Sequence, residues 1–278
     1  MKIALIISMS VVLFLFVSFC IYLFLIKTEK RAGMEKFLSR RYAHRGLHNS
    51  ERAENSLSAF KAATEAGYGI ELDVRLSKDG ELVVFHDDTL ERVTDREGRV
   101  DAYTAEELSE IKLCNTGDGI PTFREVLKLV DGRVPLLVEI KEDAGNYGVT
   151  EKTCEILREY SGDYMIESFN PLALGRVRKL LPGACRGILS QSFLKEEKYR
   201  SITYFLLEIL ALNVVCRPHF VAFNIEHSKN AALRLVRRIF GAHTLAWTVR
   251  SEAQEAVAEK EGFVTTIFEG HEPDVSVD

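Results

Sequence analysis

From residue 42 onward, strand-like runs and helix-start signals alternate to the end of the chain, and this rhythm restricts the fold more than any other feature. The strand-like runs are "YAHRG", "GIELDVRL", "ELVVFHD", "PLLVEIK", "YMIESFN", "RGILS", "FVAFNIE", "TLAWTV" and "FVTTIFE". Helical patterns with good start signals separate most of them. "TAEE", "TFRE" and "SEAQ" read as capping boxes, and "NPLALGRVRKLLPG" opens on an Asn cap followed by Pro and stops at Pro-Gly. Such alternation predicts an α/β fold with a parallel sheet. One pair breaks the rhythm, because only "SKDG" separates "GIELDVRL" from "ELVVFHD". A parallel crossover needs about a dozen residues or more, so these two strands form an antiparallel hairpin, with Asp79-Gly80 at its turn. Setting the returning arm aside leaves eight parallel strands. That number, in about 240 residues, predicts a closed (β/α)8 TIM barrel with a β-hairpin extension after strand 2. The rival, an open doubly wound sheet, more often carries a Gly-rich phosphate loop after its first strand, and "HRGLHN" is not one.

A different kind of segment precedes the barrel. Ile3 to Ile26 carries no charge and is long enough to cross a bilayer. A cleaved signal peptide has an apolar region of about 7–15 residues ending at small residues, whereas this one is longer and runs straight into Lys27. The expected organisation is a transmembrane anchor over residues 1–30, a basic linker over 31–40 and the barrel over 41–278. Lys2 precedes the apolar segment, and Lys27, Lys30, Arg31, Lys36, Arg40 and Arg41 follow it. The positive-inside rule then predicts a single-pass protein of the cell membrane with its barrel in the cytoplasm. Cys114, Cys154, Cys185 and Cys216 lack metal-type spacing and read as buried, reduced thiols, with two disulfides in an exported domain as the alternative. The formal net charge of −5 argues against a nucleic-acid partner. Outside the anchor, Ser201 to Phe220 is the most apolar run and falls where an outer helix of the barrel belongs. Two readings stand for it: burial against another subunit or loop, or contact of residues 201–216 with the membrane interface.

Side chains alternate faces along a strand. Glu71 and Asp73 share one face of "IELDV", as do Glu139 and Lys141 in "LVEIK", while the intervening apolar residues share the other. In a barrel the apolar set packs outward on the helices, so the charged set points inward near the mouth. Three inward carboxylates need neutralising. A hard divalent cation, Mg²⁺ or Ca²⁺, is one solution, because the ligands are oxygens without a Cys/His cluster. A salt-bridge network with Lys141 and Arg45 is the other. His44 ends the first strand and His86 ends the returning arm of the hairpin, so both converge on the mouth. Imidazoles titrate near neutrality and suit an acid/base pair. Arg45 and Lys141 suit an anion, and guanidinium suits phosphate in particular. Together these groups point to phosphate-ester cleavage.

The segments "AHRG", "AENSLSAF", "GIELDVRLSKDGELVVFHDDTLERVTDREGRV", "IPTFREVL", "VEIK" and "WTV" occur in an order that resembles the glycerophosphodiester phosphodiesterase family. The resemblance covers residues 41–270 and is densest from His44 to Val100. This family is similar to phosphatidylinositol-specific phospholipases C in using a barrel and two histidines. The resemblance implies hydrolysis of a glycerophosphodiester to sn-glycerol 3-phosphate and an alcohol, with a divalent cation. It implies that His44 and His86 are the acid/base pair, that Glu71, Asp73 and Glu139 are metal ligands, and that Arg45 and Lys141 contact phosphate. Glu54 and Asn55 stand in the family's Pro-Glu-Asn-Thr position and would order the mouth on the substrate side. Ala53 and Ser56 replace the Pro and Thr of that pattern, and "IFEGHEP" replaces a Thr-Asp-x-Pro pattern near the end, leaving Glu269 without an assigned role. Trp247 packs on the alcohol or glycerol, or fills a barrel layer. His48, His219, His227, His243 and His271 read as structural.

The expected function is therefore a membrane-anchored, metal-dependent phosphodiesterase. A lysophospholipase D or cyclising phospholipase acting on lysophospholipids is the alternative within enzymes. A non-catalytic, membrane-tethered binding module is the alternative outside them, and retention of both histidines and all three carboxylates speaks against it.

Overall fold

The computed structural model describes residues 2–114, 116–142 and 145–277. Its strands are β1 (Tyr42–Ala43), β2 (Gly69–Leu76), β3 (Leu82–Val84), β4 (Leu136–Ile140), β5 (Tyr164–Ser168), β6 (Cys185–Ser190), β7 (Phe220–Asn224), β8 (His243–Val249) and β9 (Thr265–Phe268). All but β3 are parallel, and β1 pairs with β2 on one side and β9 on the other, which closes the barrel. β3 runs back along β2 with Val74 opposite Val84 and Leu76 opposite Leu82, as the short "SKDG" connection requires. The (β/α)8 barrel with a hairpin after its second parallel strand is thus the fold.

Alternation along each strand sorts side chains into two cores. Ile70, Leu72 and Val74 of β2 and Leu136, Val138 and Ile140 of β4 face outward and pack in one cluster with Phe60 and Phe123 of the surrounding helices. Fully burying such a side chain stabilises the fold by about 1.5–3 kcal/mol. The inner core holds Leu137, Met165, Cys185, Leu189, Phe220, Ala222, Leu245 and Ile267. Gly187 on β6 makes room for a ring there, since a Cβ would lie 2.0 Å from Cε2 of Phe220.

The barrel floor is closed from outside. Met34 and Phe37, in the segment read as a linker, are buried against the inner core, and the Tyr42 hydroxyl donates to the Phe37 carbonyl at 2.9 Å. Glu29 accepts from Arg186 at 2.7 Å, and its amide donates to the Pro218 carbonyl at 2.8 Å. Ahead of this plug stands the helix Lys2–Ile26, the one helix among the described residues long and apolar enough to cross a membrane. Its last carbonyls, which a helix leaves unpaired, are capped from the barrel. Asn213 Nδ2 donates to the Ile26 carbonyl at 3.0 Å, and Arg217 Nη1 to that of Phe24 at 2.9 Å.

Two expectations are corrected. Ser201–Phe220 is not one outer helix but two short ones, Ile202–Glu208 and Asn213–Cys216. Between them Leu210 adopts a φ of 59°, which breaks a right-handed helix. Much of the run's apolarity is spent on burying Leu207, Leu210, Ala211 and Cys216. Cys154, Cys185 and Cys216 are buried free thiols, but Cys114 is exposed.

The tight approach at Gly187 is testable. Gly187→Val forces the Phe220 ring aside, and we expect at least about 1–3 kcal/mol of destabilisation, the usual penalty for overpacking a core. A urea titration of the full chain reads this out. An unchanged midpoint would mean that the inner layer has slack.

Candidate active site

Adjacent strands bring the inward carboxylates into register. Asp73 of β2 lies opposite Glu139 of β4, and Glu139 opposite Glu167 of β5. Glu71 lies one inward position below Asp73. Carboxylate oxygens of Glu71, Asp73 and Glu139 all fall within 4.8 Å of one another, and all three residues are buried. Lys141, just past β4, places Nζ 2.7 Å from Glu139 and 3.1 Å from Asp73.

The loop after β1 is shaped around this cluster. Arg45 and Asn55 both adopt positive φ, 57° and 55°, an uncommon backbone for such residues that multiple contacts hold in place. The Arg45 amide donates to Glu71 at 3.0 Å and its guanidinium to Glu54 at 2.7 Å, while its Nε stands 3.5 Å from Asp73. Asn55 Nδ2 donates to Asp73 at 2.9 Å. Gly46 lets this loop lie on the helix behind it, because a Cβ there would meet the Ala59 backbone at 2.9 Å.

Each histidine is backed by a carboxylate. His44 Nδ1 lies 2.7 Å from Glu269, and His86 Nδ1 lies 2.6 Å from Asp87. An ionised carboxylate only accepts, so Nδ1 carries the proton and Nε2 presents a lone pair in the neutral ring. The Nε2 of His44 stands 4.0 Å from Glu71. Arg92 bridges Asp87 and Glu54, tying the histidine-bearing loops together.

Electrostatics divide the acids. Burial raises Glu71, and the neighbouring charges of Asp73 and Glu139 add to it, so its pKa sits well above the ordinary carboxylate range. Glu139 is pushed up to about 7, chiefly by burial. Glu167 is also raised strongly, by burial and then by Glu139. Asp73 goes the other way: against burial, the charges of Lys141 and Arg45 and the Asn55 bond hold it well below its usual value. Burial lowers both histidines, His86 to about 4, so both rings are neutral at pH 7. Glu269 is held down at about 2, first by its bond to His44.

His44, Arg45, Glu71, His86, Glu139, Lys141 and Trp247 line one cavity of about 270 Å³ at the mouth. This is near the small end of ligand-sized clefts. Asp73 lies beneath it. Glu54 and Asn55 do not line it; they hold Arg45 and Asp73 from behind. Trp247 meets Phe169 edge-on at 5.5 Å, and its indole N–H finds no hydrogen-bond partner among the described residues.

Residues 44–268 match the family model described as the glycerophosphoryl diester phosphodiesterase family. The chain belongs to this family. It is therefore a phosphoric diester hydrolase. Among curated relatives it is 41% identical over 165 residues to a glycerophosphodiester phosphodiesterase of Caldanaerobacter subterraneus, covering 55% of this chain and 68% of that one. It is similar to the crystal structure of a glycerophosphodiester phosphodiesterase from Thermotoga maritima, with 28% identity, a TM-score of 0.64 and 83% and 94% of the two chains covered. An Oleispira antarctica phosphodiesterase solved with the product sn-glycerol-3-phosphate shares the fold, with 24% identity and a TM-score of 0.70 over 84% and 93% of the chains.

Three polar residues here, Glu167, Asp87 and Arg250, escaped the sequence reading, and a fourth, Glu269, was named there without a role. Glu167 follows the same inward alternation as Glu139, and that signal could have found it. Asp87 is adjacent to His86, but only the structure shows that it, rather than Asp88, meets the ring. Glu269 and Arg250 reach the site from the far end of the chain, Arg250 bonding Glu269 at 3.1 Å. If Glu269 fixes the His44 tautomer, Glu269→Gln lowers kcat by roughly tenfold or more, the scale seen when a histidine loses its orienting partner. Steady-state kinetics on the full chain, with circular dichroism to confirm folding, checks this. Unchanged kcat would rule out the orienting role.

Proposed function

We propose that this protein hydrolyses glycerophosphodiesters to sn-glycerol 3-phosphate and an alcohol, at a membrane, with a divalent cation held by Glu71, Asp73 and Glu139. The observation that carries the reading is the pair of carboxylate-backed histidines facing a cavity whose base is an acidic cluster. The donor set fits a hard cation such as Mg²⁺ or Ca²⁺: it offers oxygens only, and burial keeps Glu71 and Glu139 from holding their charge unaided. When bound, the cation supplies positive charge to the phosphoryl oxygens and acidifies a hydroxyl beside it.

The chain's own residues do the rest. Arg45 and Lys141 hold the phosphate at the cavity wall. One histidine accepts the proton of the nucleophile at Nε2, and its carboxylate partner stabilises the resulting imidazolium. Water as nucleophile gives sn-glycerol 3-phosphate directly, whereas a glycerol hydroxyl gives a cyclic phosphate that a water, activated the same way, then opens to it. The other gives a proton to the departing alcohol oxygen, and the arriving phosphate anion favours its protonation. Glu54 and Asn55 act as positioning residues. Trp247 and Phe169 give the alcohol or the glycerol an apolar wall.

The assay is release of sn-glycerol 3-phosphate by the purified full chain from a panel of glycerophosphodiesters. His44→Ala and His86→Ala each lower kcat by at least about a hundredfold; near-wild-type turnover in either would remove it from the acid/base pair. EDTA abolishes activity, and Mg²⁺ or Ca²⁺ restores it. Asp73→Asn or Glu139→Gln weakens cation binding in calorimetry. Full activity in chelator, with no metal by elemental analysis, would favour the salt-bridge network instead.

Residues 3–26 serve as an uncleaved anchor in this reading, with the basic flank on the cytoplasmic side. Protease added to intact cells leaves the barrel whole. Digestion from outside would reverse the topology.

A further inference from the structure

The helix Lys2–Ile26 does not hang free of the barrel, and its register on the barrel has a direction. The leg from β6 to β7 runs from the mouth, where Ser190 ends β6, down to the floor, where Phe220 begins β7. The N-terminal helix meets this leg in the same order. The Tyr22 hydroxyl donates to the Ile209 carbonyl at 3.0 Å, and Ile26 accepts from Asn213 further down. The helix therefore descends toward the floor, and its free turns lead out on the mouth side. Those turns are largely apolar and exposed: Ile3, Leu5, Ile6, Ile7, Met9, the run Val11 to Val17 and Phe19 all present their side chains outward.

Length then sets the height of the membrane. Ile3 to Ile21 rises ~28 Å at about 1.5 Å per residue, which fills a hydrocarbon core of about 30 Å. Tyr22 then falls at the interface, where an amphipathic ring with a polar tip belongs. Because Tyr22 is bonded to Ile209, the segment just before Ile209 is brought to that level too. That segment is the helix Ile202–Glu208, whose outer face shows Ile202 at 70% exposure and Phe205 at 41%. They are three residues apart and so share a face. Behind them Phe193, Tyr199 and Tyr204 stack in a cluster, with Tyr199 and Tyr204 4.7 Å apart. Phe193 in turn touches Phe169 of the cavity wall, with ring centres 6.1 Å apart.

We propose that the face carrying Ile202 and Phe205 rests in the bilayer interface beside the anchor, so that the mouth opens onto the lipid surface. The proposal rests on the anchored reading above. It commits the face to one partner, a membrane, and implies a substrate class: single-chain glycerophospholipids, whose phosphodiester stands at the interface while the acyl chain stays in the bilayer. The aromatic path from Tyr204 through Phe193 to Phe169 would line the way from lipid to cavity.

The test uses the full chain in vesicles of phosphatidylcholine and phosphatidylglycerol. Spin labels are placed by Ile202→Cys or Phe205→Cys in a Cys20→Ser, Cys114→Ser background, with Lys128→Cys, exposed on the helix Phe123–Val130, as the aqueous reference. We expect oxygen to relax the labels at 202 and 205 more than a water-soluble nickel complex does, and the reverse at 128. Ile202→Glu with Phe205→Glu should lower kcat/KM about tenfold on vesicle-borne lysophosphatidylcholine, by weakening interfacial burial. It should leave turnover of soluble glycerophosphocholine unchanged. Protein that stays with the vesicles through an alkaline wash, yet shows labels at 202 and 205 as aqueous as at 128, overturns the proposal alone. Protein that washes off overturns the anchor and the proposal together. Equal loss on both substrates would also overturn it, assigning the two residues a folding role.

Discussion

Asp73 must stay ionised without touching water, and the organisation of the mouth follows from how the chain achieves this. Its carboxylate faces Lys141 at 3.1 Å, just past β4, and Arg45 at 3.5 Å and the Asn55 amide at 2.9 Å, both from the loop after β1. Each is thereby fixed in place. Arg45 and Asn55 hold their left-handed backbones in the loop that carries His44. The Asp73 carbonyl also accepts from the Phe85 amide at 3.0 Å, one residue before His86. One strand position thus sets both histidines, one through its side chain and the other through its backbone. Removing a partner from a buried ion cluster leaves an uncompensated charge, which costs several kcal/mol, so this arrangement tolerates little substitution.

The same cluster is short of positive charge. Glu71, Asp73, Glu139 and Glu167 lie on three adjacent strands, and Arg45 and Lys141 are the cations beside them among the described residues. Burial, with the neighbouring carboxylates adding to it, raises the pKa values at Glu71, Glu139 and Glu167. A fold maintained only by its ion pairs gains little from such a group, because hydrophobic residues of similar volume serve as well or better. Retaining four carboxylates in a barrel interior is therefore better explained by a cation and an anionic substrate than by stability.

Much of this was legible in the sequence because the barrel rests on local periodicity. The eight-strand count, the hairpin after β2 and the inward set Glu71, Asp73, Glu139 all follow from a two-residue alternation and one four-residue connection. What was not legible depends on tertiary closure. Glu269 reaches His44 only because β9 pairs with β1, which brings residues 225 positions apart into contact. The breaking of Ser201–Phe220 into two helices also lay beyond local propensity. The run of Leu favours a continuous apolar helix, and the need to bury Leu210 against the barrel overrides it. Glu54 and Asn55 sit where the motif pointed, but behind the cavity, because a loop folded back on its own strand can hold a site without facing it.

The floor plug changes what the N-terminal helix can do. A barrel on a flexible tether could turn its mouth in any direction relative to a membrane. Here Met34 and Phe37 are buried in the inner core, Glu29 is paired with Arg186 and Arg178, and Arg217 caps the helix while its guanidinium lies 4.5 Å from the Phe24 ring. The segment between helix and first strand therefore contributes to the core of the domain it follows. Any orientation of the helix is passed to the barrel through these contacts rather than lost in a linker. Cutting the chain at residue 30 would remove Glu29 from Arg186, a side chain buried to 2% exposure, and leave a guanidinium without its charge partner. The helix and the barrel are accordingly one mechanical unit, and the direction of the mouth is a property of the fold.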